Sequence, residues 1–244
     1  MKIFVGCCGF AEGMKKYFKD FETIEIQKTF YQIPQSKTLI KWKGLAPKNF
    51  IFNLKSFQGI THNFKTPTWK RFKGEIFGKK ENYGDLKPTK EVFNSWKETL
   101  NAAKILNAKV VLIQTPKGFK DEEENLKNSE KFFKKIKRDG IQIAFEPRGW
   151  SLENIKRICK NFDLIHCVDP FKEDSTYFGK GKIAYFRLHG SYEKGRINYK
   201  HKYSEKELKE LKNKIESLKV KEVFVMFNNM YMLQDSIKFK KMIQ

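Results

Sequence analysis

Polar and charged side chains stand directly after four short apolar runs of the sequence, and several of them could do acid–base or anion-binding chemistry. Glu146, Asp169 and His189 can accept or donate a proton, as a general acid or base must. Arg148 and Arg187 can hold a phosphate or carboxylate through two parallel hydrogen bonds. Because side chains two residues apart share one face of a strand, Glu146 falls with Arg148, and Arg187 with His189. The pattern predicts acid–base chemistry on an anionic substrate.

These residues need a scaffold that brings the ends of several strands together. Strand-like runs fall at residues 3–6, 22–26, 50–55, 109–113, 141–146, 164–168, 183–188 and 222–227. Segments with helical periodicity fall at residues 36–46, 89–106, 121–138, 151–160, 204–218 and 231–243. Strands that alternate with helices predict an α/β fold with a parallel sheet. When such a sheet closes into a barrel, catalytic groups collect at the carboxyl ends of its strands.

The eight strand-like runs predict a TIM-type (β/α)8 barrel that occupies residues 1–244 as a single domain. One crossover departs from the pattern, because the connection from Asp169 to Lys182 is too short and too polar for a standard helix. The stretch 56–88 is long and irregular, and loops of this length are usually functional lids or disordered. We interpret it as a loop or lid insertion within the barrel.

Strand parity predicts which side chains point into the mouth of the barrel. If the face that carries Arg187 and His189 points inward, the mouth holds a dense cluster of mixed charge. The cluster would contain Glu25, Lys55, Glu146, Asp169, Arg187 and His189. Further side chains that would bind a ligand beside the arginines are Lys55, Gln114, Asn228 and Asn229. A structural alternative is a salt network inside the barrel with no catalytic role.

The strong positive charge favours a polyanionic partner. The chain has 244 residues, a formal net charge of +22 and 40% hydrophobic residues. Binding of lysines to phosphates is favoured by counterion release. Proteins of hyperthermophiles are also enriched in lysine, which is an alternative explanation of the charge. In the 56–88 stretch, basic and aromatic residues interleave and could contact DNA or RNA through Lys65, Trp69, Lys70 and Arg71. The alternative is that these aromatic rings pack as a lid over the barrel.

Composition also limits the location and the cofactors. No apolar stretch approaches the roughly 18 residues of a membrane span, and the start of the chain is too short for a signal peptide, so we expect a cytoplasmic protein without a membrane partner. The four cysteines lack the spacing of a zinc or redox motif and are expected to be reduced, buried thiols. No cofactor and no metal site is predicted. A single Mg²⁺ is the less favoured alternative, and the oligomeric state stays open.

Several short segments, in their order along the chain, carry a family resemblance. They are residues 6–10, 24–31, 52–55, 60–62, 112–116, 145–148, 168–169, 185–190 and 227–229. Together they resemble the domain of unknown function 72 family, the YecE-like barrels, over nearly the whole chain. The resemblance implies a TIM barrel and adds Glu25, Lys55 and His62 to the site, but it supplies no reaction. The chain departs from the family pattern at Gln27, where an asparagine is usual, and after Arg148, where a histidine-containing stretch is common.

Three functions remain open from the sequence. The favoured one is an enzyme, of hydrolase or lyase type, that uses acid–base residues at the mouth on a phosphate-bearing substrate, with nucleic acid preferred. The second is a metal-dependent phosphodiesterase or endonuclease-like hydrolase. It is disfavoured because the chain has only four histidines, none in a zinc-binding spacing. The third is a nucleic-acid-binding protein without catalysis.

Overall fold

The computed structural model describes residues 1–244. Eight parallel strands form the barrel, and a further antiparallel hairpin follows the seventh. The strands are β1 (Lys2–Cys7), β2 (Thr23–Ile26), β3 (Ile51–Lys55), β4 (Val110–Gln114), β5 (Gln142–Glu146), β6 (Ile165–His166), β7 (Ile183–Leu188), β8 (Ser191–Glu193), β9 (Arg196–Asn198) and β10 (Glu222–Phe227). The helices are α1 (Met14–Asp20), α2 (Lys28–Tyr31), α3 (Ser36–Leu45), α4 (Lys90–Leu106), α5 (Glu123–Lys135), α6 (Leu152–Phe162), α7 (Glu205–Glu216) and α8 (Met232–Ile243).

The barrel closes from two parallel sheets. One sheet has the order β2-β3-β4-β5-β6, and the other has the order β1-β10-β7. A parallel bridge between Val168 and Phe186 joins the two sheets next to β6 and β7. No helix lies between β6 and β7, which confirms the prediction for that crossover. The predicted TIM-type barrel is confirmed, and each of its eight predicted strands is present.

The second seam, between β1 and β2, depends on a glycine and a tyrosine. A Cβ on Gly6 would lie 2.4 Å from the carbonyl oxygen of Thr23, so only glycine lets these strands approach. The Tyr17 hydroxyl accepts a hydrogen bond from the Cys7 backbone N–H at 2.8 Å and donates one to the Thr23 carbonyl at 3.0 Å. This hydroxyl therefore takes the place of a direct ladder bond at the seam.

The lumen of the barrel is apolar below its mouth. Its buried side chains come from alternate strand positions and are Cys8, Val110, Leu112, Ala144, Ile165, Cys167, Ile183, Tyr185, Phe224 and Met226. The residues two positions further toward the carboxyl ends of these strands share the same inward-facing side, and they are Gln114, Glu146, Asp169 and Arg187. The charged groups of the mouth therefore sit on an apolar floor, where electrostatic interactions are stronger than in water.

Local sequence signals explain the helices that position the strands. Ser204 and Glu207 form a capping box at the start of α7, as the sequence predicted, and Leu208, Leu211 and Ile215 bury its apolar stripe. The helices α3 to α8 match the predicted helical segments. The short helices α1 and α2 and the β8–β9 hairpin were not predicted, because none is long enough to show a clear periodicity.

The long connection at residues 56–88 is folded rather than extended. It contains three 3₁₀ turns, Gln58–Ile60, Pro67–Arg71 and Lys80–Asn82. Phe57, Trp69 and Tyr83 form a small apolar cluster of their own, separate from the barrel core.

No helix of the protein is both long enough and apolar enough to cross a membrane.

Candidate functional site at the barrel mouth

The carboxyl ends of four strands bring five charged or titratable side chains into one buried cluster. Glu25 lies on β2, Lys55 and Glu146 end β3 and β5, Arg187 lies on β7, and His189 follows it. All five are buried, and Arg187 is only 1% exposed. Strand parity predicted this grouping, and the structure brings these residues together.

Arg187 is the centre of the cluster. Its Nε lies 3.1 and 3.2 Å from the two Glu25 oxygens, and its Nη2 lies 3.1 Å from Glu25 Oε1. Its Nη1 lies 2.7 Å from Glu146 Oε2 and 3.2 Å from His189 Nε2, while Nη2 also contacts Cys8 Sγ at 3.8 Å. Each of the three guanidinium nitrogens donates to at least one protein acceptor, and the side chain is almost fully buried. Contrary to the expectation from sequence, Arg187 has no donor left for a substrate phosphate.

Arg148 is held differently. Its Nε donates to Glu146 Oε1 at 2.7 Å, and its Nη2 lies 3.1 Å from His189 Nε2. Its Nη1 makes no hydrogen bond or ion pair within the protein, and the side chain is 28% exposed. The guanidinium is therefore fixed on one side and free on the other.

His189 is oriented by the groups around it. Its Nε2 faces N–H donors of both arginines, so we assign this nitrogen as an acceptor and place the ring proton on Nδ1. Nδ1 lies 3.4 Å from Asp169 Oδ2, a contact too poorly directed for a full hydrogen bond. Burial lowers the pKa of His189, the nearby Asp169 carboxylate opposes this shift, and the Arg187 charge adds to it, so the net shift is downward. The ring is neutral at physiological pH.

Asp169 and Glu146 are anchored carboxylates. Asp169 accepts hydrogen bonds from the His189 backbone N–H at 2.9 Å and from the Tyr192 hydroxyl at 3.0 Å. Burial acts to raise the pKa of Glu146, but the charges of Arg148 and Arg187 outweigh it and hold this pKa well below the usual range of a carboxyl. Glu146 is therefore a permanent anion that binds the two arginines.

Lys55 occupies the opposite wall of the cluster. Its Nζ donates to Gln114 Oε1 at 2.7 Å and lies 3.9 Å from the centre of the Phe30 ring, and no carboxylate is within ion-pair distance. Burial and then the Arg187 charge lower the pKa of Lys55 to about 7. Beside it, burial and the Lys55 charge lower the pKa of His62 to about 3, so His62 is neutral as well.

A cavity of about 350 Å³ opens beside the cluster. Its wall is formed by Lys117, Glu146, Pro147, Arg148, Gly149, His166, Cys167, Val168, Asp169, Lys172, Glu173, His189, Tyr192, Gly195 and Ile197. The β8–β9 hairpin supplies Tyr192, Gly195 and Ile197 and so covers one side of it. The size is at the lower end of the range for small-molecule sites.

Some predicted site residues lie elsewhere. Asn229 points away from the lumen and donates to Asp235 Oδ2 at 2.6 Å and to the His201 carbonyl at 2.8 Å, which ties β10 to α8. The preceding residue, Asn228, is half-buried and lies two positions after Met226, whose side chain points into the lumen. Alternation along β10 therefore places these two amides on different sides, with Asn228 on the side of the mouth.

The predicted nucleic-acid contacts divide in a similar way. Trp69 is buried against Phe64 and donates to the His62 carbonyl at 3.0 Å, so its ring is not available to stack on a base. Lys65 and Lys70 are exposed, and Arg71 is exposed with its guanidinium 3.6 Å from the Tyr31 ring centre.

Sequence reasoning missed several groups that complete the site. The Tyr185 hydroxyl donates to Glu25 Oε2 at 2.9 Å, and Gln27 also donates to Glu25. Tyr185 could have been found, since it shares the parity of Arg187. Tyr192 could not, because the hairpin that carries it gave no strand signal.

The donor set does not suit a metal ion. No group of three or more histidine, cysteine, aspartate or glutamate side chains is arranged to hold one. The carboxylates that a metal would need are already paired with guanidinium groups at Arg148 and Arg187.

Comparison with known proteins assigns the chain to a family. The family described as "Protein of unknown function DUF72" matches residues 7–244. The chain belongs to the DUF72 family. The UPF0759 protein YunF of Bacillus subtilis (strain 168) is 24% identical over 242 residues, which cover 88% of this chain and 80% of YunF. The resemblance inferred from the sequence is therefore confirmed.

Solved structures support the same fold. A DUF72 family protein from Thermotoga maritima is 23% identical, covers 100% of this chain and 99% of its own, and superposes with a TM-score of 0.69. Endonuclease IV from Thermus thermophilus is 10% identical, covers 99% of this chain and 100% of its own, and gives a TM-score of 0.54. Both structures are less than 25% identical to the DUF72 chain, so the likeness concerns the barrel fold alone.

Proposed function

We propose that this DUF72 protein is an enzyme that binds a phosphate-bearing substrate in the mouth cavity, with Arg148 as the cation that holds the phosphate. The observation that carries this proposal is the unpaired Nη1 of Arg148 on the cavity wall, beside a fully engaged Arg187. An arginine with one free edge presents its N–H groups to an anion in a fixed direction. Lys117 and Lys172 line the same cavity and add positive charge.

Preorganisation supports this assignment. Glu146 and His189 fix the Nε and Nη2 of Arg148, so binding an anion at Nη1 requires little loss of side-chain freedom. Asp169 in turn orients the backbone and the ring of His189. We therefore propose that these three predicted acid–base residues position Arg148 instead of transferring protons themselves.

A nucleic acid is the favoured form of the substrate. The hairpin that covers the cavity and the segment after it carry four exposed cations, Lys194, Arg196, Lys200 and Lys202, and none of them makes an ion pair. Unpaired surface cations next to a phosphate site favour a substrate with several phosphates. We propose that one phosphate occupies the cavity while its neighbours contact this hairpin.

A turnover screen tests the proposal. Phosphomonoesters, sugar phosphates, mononucleotides and single-stranded oligonucleotides are incubated with the wild type, Arg148→Met and Lys221→Met. Lys221 is exposed at the opposite end of the barrel, just before β10, so its substitution removes one charge far from the mouth. Loss of a hydrogen bond to a charged group costs about 1.5–3 kcal/mol, which predicts a roughly 10- to 100-fold drop in kcat/KM for Arg148→Met and little change for Lys221→Met.

Two outcomes contradict the proposal. If Arg148→Met turns over its substrate as well as the wild type, the phosphate does not bind at Nη1. If oligonucleotides bind tightly but no compound is converted, the protein is a nucleic-acid-binding module and not an enzyme.

A further inference from the structure

Lys55 is a buried amine that the network around Arg187 leaves without a counterion. It is 8% exposed, and the nearest acidic groups, Glu25 and Glu146, are already bound to guanidinium groups. Its single polar partner is the neutral amide oxygen of Gln114 at 2.7 Å. A lysine buried for structural reasons is normally paired with a carboxylate, so this arrangement requires another explanation.

The surroundings favour the neutral amine. Burial, followed by the Arg187 charge, lowers the pKa of Lys55 to about 7, and these effects outweigh the Glu146 charge and the Phe30 ring face 3.9 Å from Nζ, which favour the protonated form. At pH 7 about half of such amines are unprotonated, compared with about 1 in 2,500 for a lysine with an ordinary pKa near 10.4. An unprotonated amine has a lone pair available for nucleophilic attack.

We propose that Lys55 is the nucleophile of the mouth and that its Nζ adds to the carbonyl carbon of a phosphate-bearing aldehyde or ketone. The phosphate part of this proposal rests on the proposed function of Arg148, whereas the amine part does not. Arg148 lines the cavity and Lys55 does not, so the substrate must extend its carbonyl from the cavity to Nζ, an amine on which the charges of Glu146 and Arg148 both act.

The step is a condensation. The Nζ lone pair forms a bond to the carbonyl carbon, and the π electrons move to the oxygen, which takes up a proton from the attacking amine to give a carbinolamine. Loss of that hydroxyl with the second amine proton as water leaves a C=N bond between Lys55 and the substrate. The Gln114 oxygen, which accepts from Nζ, holds the amine in place at the end of β3. No oxidant, metal or cofactor is required.

Reductive trapping tests this proposal in the full-length protein. Sodium cyanoborohydride delivers a hydride to the C=N carbon and converts the imine to a stable secondary amine, which peptide mass spectrometry locates. Three carbonyl probes are used at pH 7: glycolaldehyde, glycolaldehyde phosphate and an oligonucleotide with an abasic site. The first lacks phosphate, and the other two separate a small phosphorylated aldehyde from an aldehyde within a nucleic acid.

The expected result is at least about tenfold more adduct on Lys55 than on Lys117, which is exposed at the same mouth. Lys55→Met should abolish this adduct, while Lys221→Met should retain it. The wild-type map alone is decisive if Lys55→Met does not fold. A map without enrichment at Lys55 for any probe overturns the proposal.

The three probes also distinguish the proposal for Lys55 from the proposed function of Arg148. If Lys55 is labelled equally by glycolaldehyde and by both phosphorylated probes, the amine is the nucleophile but the phosphate site at Arg148 is wrong. If phosphorylation increases labelling and Arg148→Met removes that increase, both proposals are supported.

Discussion

Replacing Arg187 with methionine should destabilise the fold strongly, because this side chain neutralises a buried carboxylate that has no other cation. Glu146 keeps Arg148 at 2.7 Å, but Glu25 is fully buried and retains only the Tyr185 hydroxyl and the Gln27 amide. The penalty thus comes mainly from one uncompensated buried charge. Removing one partner of a buried ion pair costs about 3–5 kcal/mol, which is the loss in unfolding free energy that we predict for Arg187→Met at pH 7.

Urea denaturation at pH 7 and pH 4.5 measures this loss. A buried carboxylate that has lost its cation takes up a proton more readily than a paired one, so the difference in stability between the variant and the wild type should shrink at the lower pH. The wild type should lose little unfolding free energy between pH 7 and pH 4.5 through protonation of Glu146, because the folded pKa of Glu146 is depressed. The stability from Glu146 is fully present above the ordinary carboxyl pKa near 4.3, and it is lost only as the pH falls below that value toward the folded pKa.

Two matched variants control the interpretation. Arg157→Met breaks an ion pair with Glu130 whose side chains are 41% and 39% exposed, and it should cost less than about 1 kcal/mol. The double variant Glu25→Gln/Arg187→Met removes both charges and should be more stable than Arg187→Met alone. A loss below about 1 kcal/mol for Arg187→Met, or a double variant that is no more stable, would refute the reasoning.

Two further predictions concern the β1–β2 seam. Gly6→Ala should lower the free energy of unfolding by about 1–3 kcal/mol, because the added Cβ would clash with the Thr23 backbone. The control Gly44→Ala, in α3, adds a Cβ that contacts nothing and should be neutral or stabilising. Equal thermal denaturation midpoints for the two variants would contradict this prediction. Tyr17→Phe should cost about 1–3 kcal/mol in urea denaturation, because the Cys7 N–H loses its hydrogen-bond partner inside the protein. A Tyr17→Phe variant as stable as the wild type would show that the hydroxyl does not bridge the seam.

The sequence was sufficient to locate the mouth cluster. Strands have a side-chain period of two, so the abrupt ends of the apolar runs identified both the strands and the faces of Glu146 and Arg187. The same alternation, with the carboxyl-end rule for barrels, grouped Lys55 and His189 with them.

The partners of each charge could not be predicted. Glu25 and Arg187 are 162 residues apart in the chain, and their pairing depends on the distance across the closed barrel. For this reason Arg187 and Arg148 looked equivalent in sequence, although one is fully engaged and the other has a free edge. Trp69 shows the same limit, because an interleaved basic and aromatic segment is compatible both with a stacking surface and with the small apolar core that the loop forms.

The most direct test of the proposed site is the affinity for inorganic phosphate, measured by isothermal titration calorimetry at 150 mM salt. Wild type and Lys221→Met should bind one phosphate with the same affinity, and Arg148→Met should bind it roughly 10- to 100-fold more weakly. Unchanged phosphate affinity in Arg148→Met, or binding that disappears equally in Lys221→Met, would contradict a phosphate site built on the free edge of Arg148.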